Sequence, residues 1–573
     1  MGAIEQFAFD IAEVPFSFRG AWIDLSRVVG LHRVADDIHL VTHTGGMHPV
    51  FRLVPHLQGT AVAAQTHATA ATLAWRTETG EVEAVFDTVR GIRFRGRGLG
   101  LRFVAGADLT PFTGGYLFRD PLDSSLTLTS YESGRRYRFT TLAGSPTVTG
   151  LGELRQGDRW VEFGGEDDWE VILEEIGTAS PAPAAGGSSG GSFDDLARER
   201  GREFADYVES VQGDAPDDTA VKACYVMWSA TVAPAGFVGR EAVLMSKHWM
   251  DKVWSWDHCF NAIALVGGDQ AAALDQFLLP FDHQDTTGAI PDSVTHSEVL
   301  YNFVKPPIHG WAFGQLRLRA PRPFSTQELA AVYAHLSAWT RFWLDFRRAP
   351  GHRLPYYQHG NDSGWDNSTT FDRGGVIESP DLAAFLILQV RELRDLAGEL
   401  GLSAPEWDAT EEELRSALFD ELWTGDGFVA RLVDTGEAAP ASSLLNCLPI
   451  VLGELLPTEV ADALERRIAE HLTTWGLATE PVDSPHYQDD GYWRGPIWAP
   501  STVLIEDGLR RAGRTGLAEL IGERFRALCA ASGFAENFDA MTGAGLRDRA
   551  YSWTAAAYLA LRTDAVQRTA EAA

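Results

Sequence analysis

Cysteine is scarce. The 573 residues hold four, Cys224, Cys259, Cys447 and Cys529, widely spaced and with no CxxC pair. A disulfide framework and a cysteine-based zinc site are thereby disfavoured, and reduced, buried thiols are the expectation, which suits a cytoplasmic protein. Basic residues are also few: 48 Lys and Arg stand against 79 Asp and Glu, a formal net charge of −31. Nucleic acid and anionic membrane surfaces need clustered cations, so neither is an expected partner, whereas a small neutral substrate is. No stretch approaches the roughly 18 uninterrupted apolar residues of a membrane span. The start, Met1-Gly2-Ala3-Ile4-Glu5-Gln6, lacks the basic region and apolar run of a secretory signal, so none is expected. No cluster of metal-ligating residues stands out, and no cofactor is expected. Asp489 and Asp490 alone offer too few oxygens for a hard cation and read as solvated loop acids.

The residues that are present divide the chain. The segment 180–192 is built of Ser, Pro, Ala and Gly and reads as a coreless linker. The expected organisation is a β-sandwich over 1–178, a linker over 179–192 and a helical domain over 193–573. Before the linker, short alternating runs at 38–41, 92–95, 126–129, 137–140 and 169–173 predict antiparallel strands, with Gly96–Gly100 a turn or bulge. After it, the hydrophobic period becomes that of helices. Ser325 and Glu328 form a capping box that opens a helix running towards Arg348, and Ser379-Pro380 opens another that Gly401 stops. Further helices are predicted from near Phe193, Asp217, Pro457, Ile497 and Gly516. Helix following helix over some 380 residues suggests a closed toroid of helical hairpins.

The chemistry lies in the glycine-rich connections between helices. The run 359–368, His-Gly-Asn-Asp-Ser-Gly-Trp-Asp-Asn-Ser, sets Asp362 and Asp366 beside Trp365 and Gly364. A second acid cluster, 535–539, holds Glu536 and precedes Tyr551-Ser552-Trp553-Thr554. Between them lies Tyr492-Trp493-Arg494-Gly495-Pro496-Ile497-Trp498. Many of the 18 tryptophans gather around these motifs. Indole rings stack on the apolar faces of a pyranose, and paired carboxyl groups move protons at a glycosidic oxygen. Asp366 follows an indole that lowers the local polarity, which suits a general acid. Glu536 lies in a loop between a helix ending at Gly533 and one beginning near Tyr551, which suits a general base. Spacing alone equally allows both to be helix caps or surface loop acids.

A family resemblance shifts that balance. Ser363-Gly364-Trp365-Asp366-Asn367-Ser368 resembles the general-acid motif of the trehalase (family 37) and family 63 glycoside hydrolases. Glu536-Asn537-Phe538-Asp539 with Tyr551-Ser552-Trp553-Thr554 resembles their general-base motif. Trp254-Ser255-Trp256-Asp257-His258-Cys259-Phe260 is similar to the family's early sugar-binding turn. Two further motifs match at Lys305-Pro306-Pro307-Ile308-His309-Gly310-Trp311-Ala312 and at Tyr492–Trp498. The resemblance, closer to family 63, implies an N-terminal β-sandwich followed by an all-α (α/α)6 barrel and hydrolysis with inversion. It implies Asp366 as acid, Glu536 as base, and Trp256 and Asp257 gripping the sugar, with Trp254, His258, Lys305 and Arg494 close by. His309, Trp311, Asp362, Gly364, Trp365, Tyr492, Trp493, Trp498 and Trp553 complete the expected substrate-binding set. The family often has Glu where Asp362 stands and Pro where Thr369 stands, which leaves the leaving group open.

The expected activity is that of an exo-acting α-glycosidase releasing a terminal sugar, glucose before others, from a disaccharide or small glycoside. A disaccharide phosphorylase would need no base at Glu536. A sugar epimerase would use paired histidines, and a non-catalytic sugar-binding protein would leave the acid pair idle.

Overall fold

The structure is a computed structural model that describes residues 4, 7–106, 114–154, 157–164, 167–177, 191–213 and 215–572. Of the expected linker, only Gly191 and Ser192 lie within the described residues. Packing divides the chain into two compact units, Met1–Lys252 with Thr295–Ser297, and Val253–Val294 with Glu298–Ala573.

The first unit is built on two antiparallel sheets. Among the described residues, one has nine strands in the order Ala8–Phe9, Gln65–Thr69, Leu73–Arg76, Glu81–Thr88, Gly91–Arg97, Trp169–Ile176, Arg136–Ala143, Leu126–Ser130 and Gly115–Arg119. The other runs Thr147–Thr149, Trp160–Phe163, Gly100–Ala105, His48–Leu57, Arg33–Thr42 and Ile23–Gly30, with Thr60–Ala61 paired to His48–Leu57. The five expected strands fall inside these elements, and Gly98 at φ 63° makes the predicted turn between two of them. Alternation sends Phe94 and Phe139 from one sheet and Phe51 and Phe103 from the other into a shared core. The Phe94–Phe103 and Phe103–Phe139 ring centroids are 5.1 and 5.3 Å apart, at near-perpendicular tilt.

Two helices belong with these sheets. Phe193–Gln212 opens on a Ser192/Asp195 capping box, and Asp218–Ala230 opens on the Asp217 side chain. Phe193 and Leu196 bury against Val85, and the Arg95 guanidinium lies 4.1 Å from the Phe193 ring centroid. The sequence placed the boundary at the linker. The packing carries the first unit on to Lys252: Phe193–Gln212 lies against Glu81–Thr88 of the nine-stranded sheet, and Asp218–Ala230 lies against that helix.

The second unit is helical. Asp257–Leu265 packs on His309–Arg319, which packs on Pro380–Glu399, and that on the 3-10 run Leu444–Leu455. Leu444–Leu455 packs on Ala499–Arg511, that on Ser552–Ala572, and Ser552–Ala572 returns to Asp257–Leu265. Gln270–Leu278, Thr326–Phe346, Pro405–Ala417, Thr458–Glu470 and Thr515–Ser532 each lie against one or two of these six. The capping box at Ser325 and Glu328 is formed, and Pro380 occupies the first turn of its helix. Glycines set the closest crossings. A Cβ on Gly310 would stand 2.2 Å from the Gln389 Cα, and one on Gly508 would stand 2.5 Å from the Ile450 carbonyl oxygen. Among the described residues, no helix is long and apolar enough to cross a membrane.

These crossings are testable in one helix. Gly310→Ala forces backbone against backbone and is expected to cost about 2 kcal/mol or more in urea unfolding. Gly314→Ala, whose Cβ would meet only the end of the Glu392 side chain at 3.5 Å, is expected to be neutral or to stabilise by up to about 1 kcal/mol through helix propensity. Equal effects of the two substitutions would show that the crossing at Gly310 is not tight.

Candidate active site

The acid motif is a loop held from several sides. Gly360–Ser363 is one 3-10 turn, ended by Gly364 in the left-handed region at φ 74°. No side chain fits at Gly360 or Gly364. A Cβ there would stand 2.1 Å from the Asp366 carbonyl oxygen or 2.5 Å from the Trp256 ring, respectively. Asp362 is buried, and both of its oxygens are used. It accepts from the backbone N–H of Gln358 at 2.8 Å and of Val304 at 3.1 Å, and it pairs with Arg347 at 2.9 Å. Asn367 ties this loop to the next motif: its Nδ2 donates to the Gly491 carbonyl at 3.0 Å, and its Oδ1 accepts from the Trp493 N–H at 2.9 Å. Arg494 donates to the Asn367 carbonyl at 2.7 Å and pairs with Asp372. Thr369, at the position where the resembled family often has proline, donates to buried Glu480 at 2.9 Å.

Around Asp366 stands a cluster of buried charge. Lys305 lies 3.2 Å from Asp292 and donates to the Asn361 carbonyl at 2.9 Å. Burial works against its charge, but Asp366, Asp292 and Asp257 hold it protonated. Asp257 opens the helix Asp257–Leu265 and is 4% exposed. Burial pushes its carboxyl up to about 8, against the pull of Lys305. Asp366 is likewise pushed up by burial and pulled down by Lys305. Glu536, 2% exposed, is raised to about 8 by burial and by Asp548, with Arg547 opposing. The Tyr492 hydroxyl lies in the field of Asp366, Glu536 and Asp257 together, and that of Tyr551 in the field of Glu536 and Asp257. These groups therefore lie within electrostatic reach of one another. Asp292, Asp548, Arg547 and Tyr551 join the expected residues.

The expected stacking residues form a continuous wall. Trp365 lies 4.6 Å from Trp493, which stacks parallel on Trp498 at 4.1 Å. Trp553 meets Trp498 and Trp256 edge-on, each at 5.5 Å. All five indoles are nearly fully buried, so most of their surface serves packing. Two non-glycine residues beside the wall, Tyr492 at φ 64° and Arg547 at φ 60°, adopt left-handed backbone. The Arg547 guanidinium lies 4.9 Å from the Tyr492 ring centroid and pairs with Asp490 at 2.6 Å and with the Asn537 amide oxygen at 2.8 Å. Such backbone costs on the order of 1–3 kcal/mol per residue and persists where its surroundings over-determine it.

Other expected residues hold the backbone and helices around the site. His258 Nδ1 donates to the Trp254 carbonyl, and His309 Nε2 to the Ser255 carbonyl, each at 3.1 Å, so both staple the Trp254–Asp257 turn. Burial lowers His309 to about 4 and keeps it neutral. Trp311 donates its indole N–H to Asp507 at 2.8 Å, across a helix crossing. Among the described residues, no group of His, Cys, Asp and Glu is arranged to hold a metal ion. The four cysteines are buried and form no disulfide.

Two raised carboxyl groups, a buried lysine and an indole wall lie together, an arrangement chemically able to move protons beside a polar group with an apolar face. The sequence family described as the mannosylglycerate hydrolase MGH1-like glycoside hydrolase domain matches residues 250–554, more than half of the chain. The chain belongs to this family of glycoside hydrolases. It is similar to the mannosylglycerate hydrolase of Rubrobacter radiotolerans, at 25% identity over 53% of this chain and 89% of that protein. It is also similar to the glucosylglycerate hydrolase of Mycolicibacterium hassiacum, at 23% identity over 60% of this chain and 97% of that one. The crystal structure of the family 63 mannosylglycerate hydrolase from Thermus thermophilus in complex with glucose superposes with a TM-score of 0.54, at 20% identity, over 61% of this chain and 100% of that chain. At that identity the likeness shows the fold.

The close approach of Gly364 to Trp256 yields a prediction. Gly364→Ala adds left-handed strain and drives a methyl group into a ring that Trp493 and Trp553 hold in place. Steady-state kinetics on a cleaved glycoside should show kcat/KM falling by about 100-fold, because small misplacements at a reacting centre cost that much. Gly351→Ala carries similar backbone strain at φ 83° with nothing within 4 Å of the new Cβ, and should lose stability without that kinetic loss.

Proposed function

We propose that the protein is an inverting, exo-acting α-glycosidase on an (α/α)6 barrel preceded by a β-sandwich. It releases a terminal α-linked hexose, glucose or mannose, from a small glycoside. The observation that carries this reading is the shared field of Asp366, Glu536 and Asp257 at the Tyr492 hydroxyl. Asp366 is half-buried and protonates the leaving oxygen, whereas Glu536 is deeply buried and takes a proton from the attacking water. Lys305 keeps Asp257 and Asp292 in place beneath the sugar. The ring of six neighbouring helices supports the barrel. The named relatives support a glycosyl-glycerate as the first substrate to try.

The rival activities fit less well. A phosphate dianion attacking in place of water would sit among Asp366, Glu536 and Asp548, an arrangement of like charges. Epimerase chemistry needs histidines turned towards the sugar, and here His258 and His309 bond backbone carbonyls.

Product stereochemistry tests the mechanism. Proton NMR of fresh hydrolysate should show the β-anomer first, since an inverting pair stands about 6.5–9.5 Å apart to admit water. An α-anomer at the earliest time point overturns inversion. Asp366→Asn should lose several orders of magnitude on unactivated glycosides and less on an aryl glycoside, while Glu536→Ala should regain turnover with azide. Interchanged behaviour of the two variants would interchange their roles.

A pH profile tests the electrostatics. Glu536 must be ionised to act, so kcat/KM should rise with pH through the region near 8 to which its surroundings push it. Asp548→Asn removes a negative neighbour and lowers that value, so the acidic limb should move to lower pH. A limb that stays in place would remove Glu536 from the base role or Asp548 from its surroundings.

A further inference from the structure

The glycosidase reading leaves the leaving group unassigned, and one side chain beside Asp366 takes no part in that chemistry. Exposure increases outward through the site. Glu536 and Asp257 are 2% and 4% exposed, Asp366 is half-buried, and His359 is exposed. His359 precedes Gly360, where an added Cβ would stand 2.1 Å from the Asp366 carbonyl oxygen, so the backbone beside His359 runs close against that of the acid, and the imidazole acts on the Asp366 carboxyl.

The His359 ring is held in a defined way. Nδ1 accepts from the Asn361 backbone N–H at 3.1 Å, which places the ring proton of the neutral imidazole on Nε2. The Phe303 ring stacks on it, centroids 5.1 Å apart and planes 25° apart. The strand of chain carrying Phe303 is laced to the acid loop on its other side. The Val304 N–H donates to Asp362, and Lys305 donates to the Asn361 carbonyl. Residues 303–305 and 358–362 are thus tied into one lip that carries a ring face and an imidazole N–H.

A glycosidic oxygen protonated by Asp366 carries its sugar inward, towards Asp257 and Glu536, and its leaving group outward, towards this lip. We propose that Phe303 and His359 form the leaving-group platform, with the His359 Nε2–H donating to an oxygen of a small, hydroxylated aglycone. This rests on the glycosidase reading and goes beyond it. It assigns selectivity for the leaving group to residues that do not touch the sugar.

The test compares two α-glycosides of one sugar, one with a glyceryl and one with a para-nitrophenyl leaving group. His359→Phe keeps a ring on Phe303 and removes the donor. The ratio of kcat/KM for glyceryl over aryl substrate should fall by about tenfold, the worth of one hydrogen bond to a bound polar group. His359→Gln, which keeps an N–H, should recover part of it. An unchanged ratio in His359→Phe, whether both substrates suffer equally or neither does, overturns the assignment. Saturation-transfer NMR with glycerol and glycerate as probes separates this from failure of the glycosidase reading. If the wild type cleaves neither substrate, that reading fails. The lip then stands if the probes bind the wild type and weaken in His359→Phe, and falls if they do not.

Discussion

One buried ammonium group organises the second unit. Lys305 faces Asp292, Asp257 and Asp366 and bonds the Asn361 carbonyl of the acid loop. Four segments distant in sequence meet at that charge. Buried carboxylates without a counter-ion are too costly to ionise and would take up protons instead. With Lys305 in place, the cluster holds part of its negative charge and keeps carboxyl groups whose protons can move. Burial still pushes the carboxyls of Asp257 and Glu536 up to about 8, so the lysine does not offset the loss of water around them.

Around this charge the aromatic wall acts chiefly as a frame. Trp365, Trp493, Trp498, Trp553 and Trp256 pack on one another so completely that each fixes the next. Such a frame has little freedom to relax, which explains why glycine is needed at 364 and why Tyr492 and Arg547 tolerate left-handed backbone. The frame also dries the site. Low polarity behind the carboxyl groups is what raises them, so the indoles act on the chemistry through the field as much as by contact.

Much of this was legible in the sequence because it is local. The capping box at Ser325, the proline opening 380–399 and the alternation of 92–95 or 137–140 are set by neighbours in the chain. The carboxyl-bearing motifs around Asp366 and Glu536 were visible as residue types in loops between helices. What could not be read was the direction each side chain takes. Arg494, His258, His309 and Asp362 have the chemistry of sugar ligands, yet their partners are backbone groups and other side chains of the loops. Arg547 carried no signal, since its place depends on a left-handed backbone at a non-glycine residue. The end of the first unit at Lys252 was hidden as well, because a helix packed on a sheet has the same periodicity as one packed on helices.

This division of labour bears on how far family membership reaches. Most polar residues in the shared motifs hold loops to one another: Asn367 to Gly491 and Trp493, Asp362 to Arg347, Thr369 to Glu480. Motifs of that kind specify where two carboxyl groups stand, and hence the reaction. Few of their atoms remain available to read the hydroxyl pattern of a sugar or the shape of its leaving group. Reaction class is therefore written into the part of the chain that the family shares. Substrate identity falls to the few positions at the rim whose side chains are not committed to holding the loops.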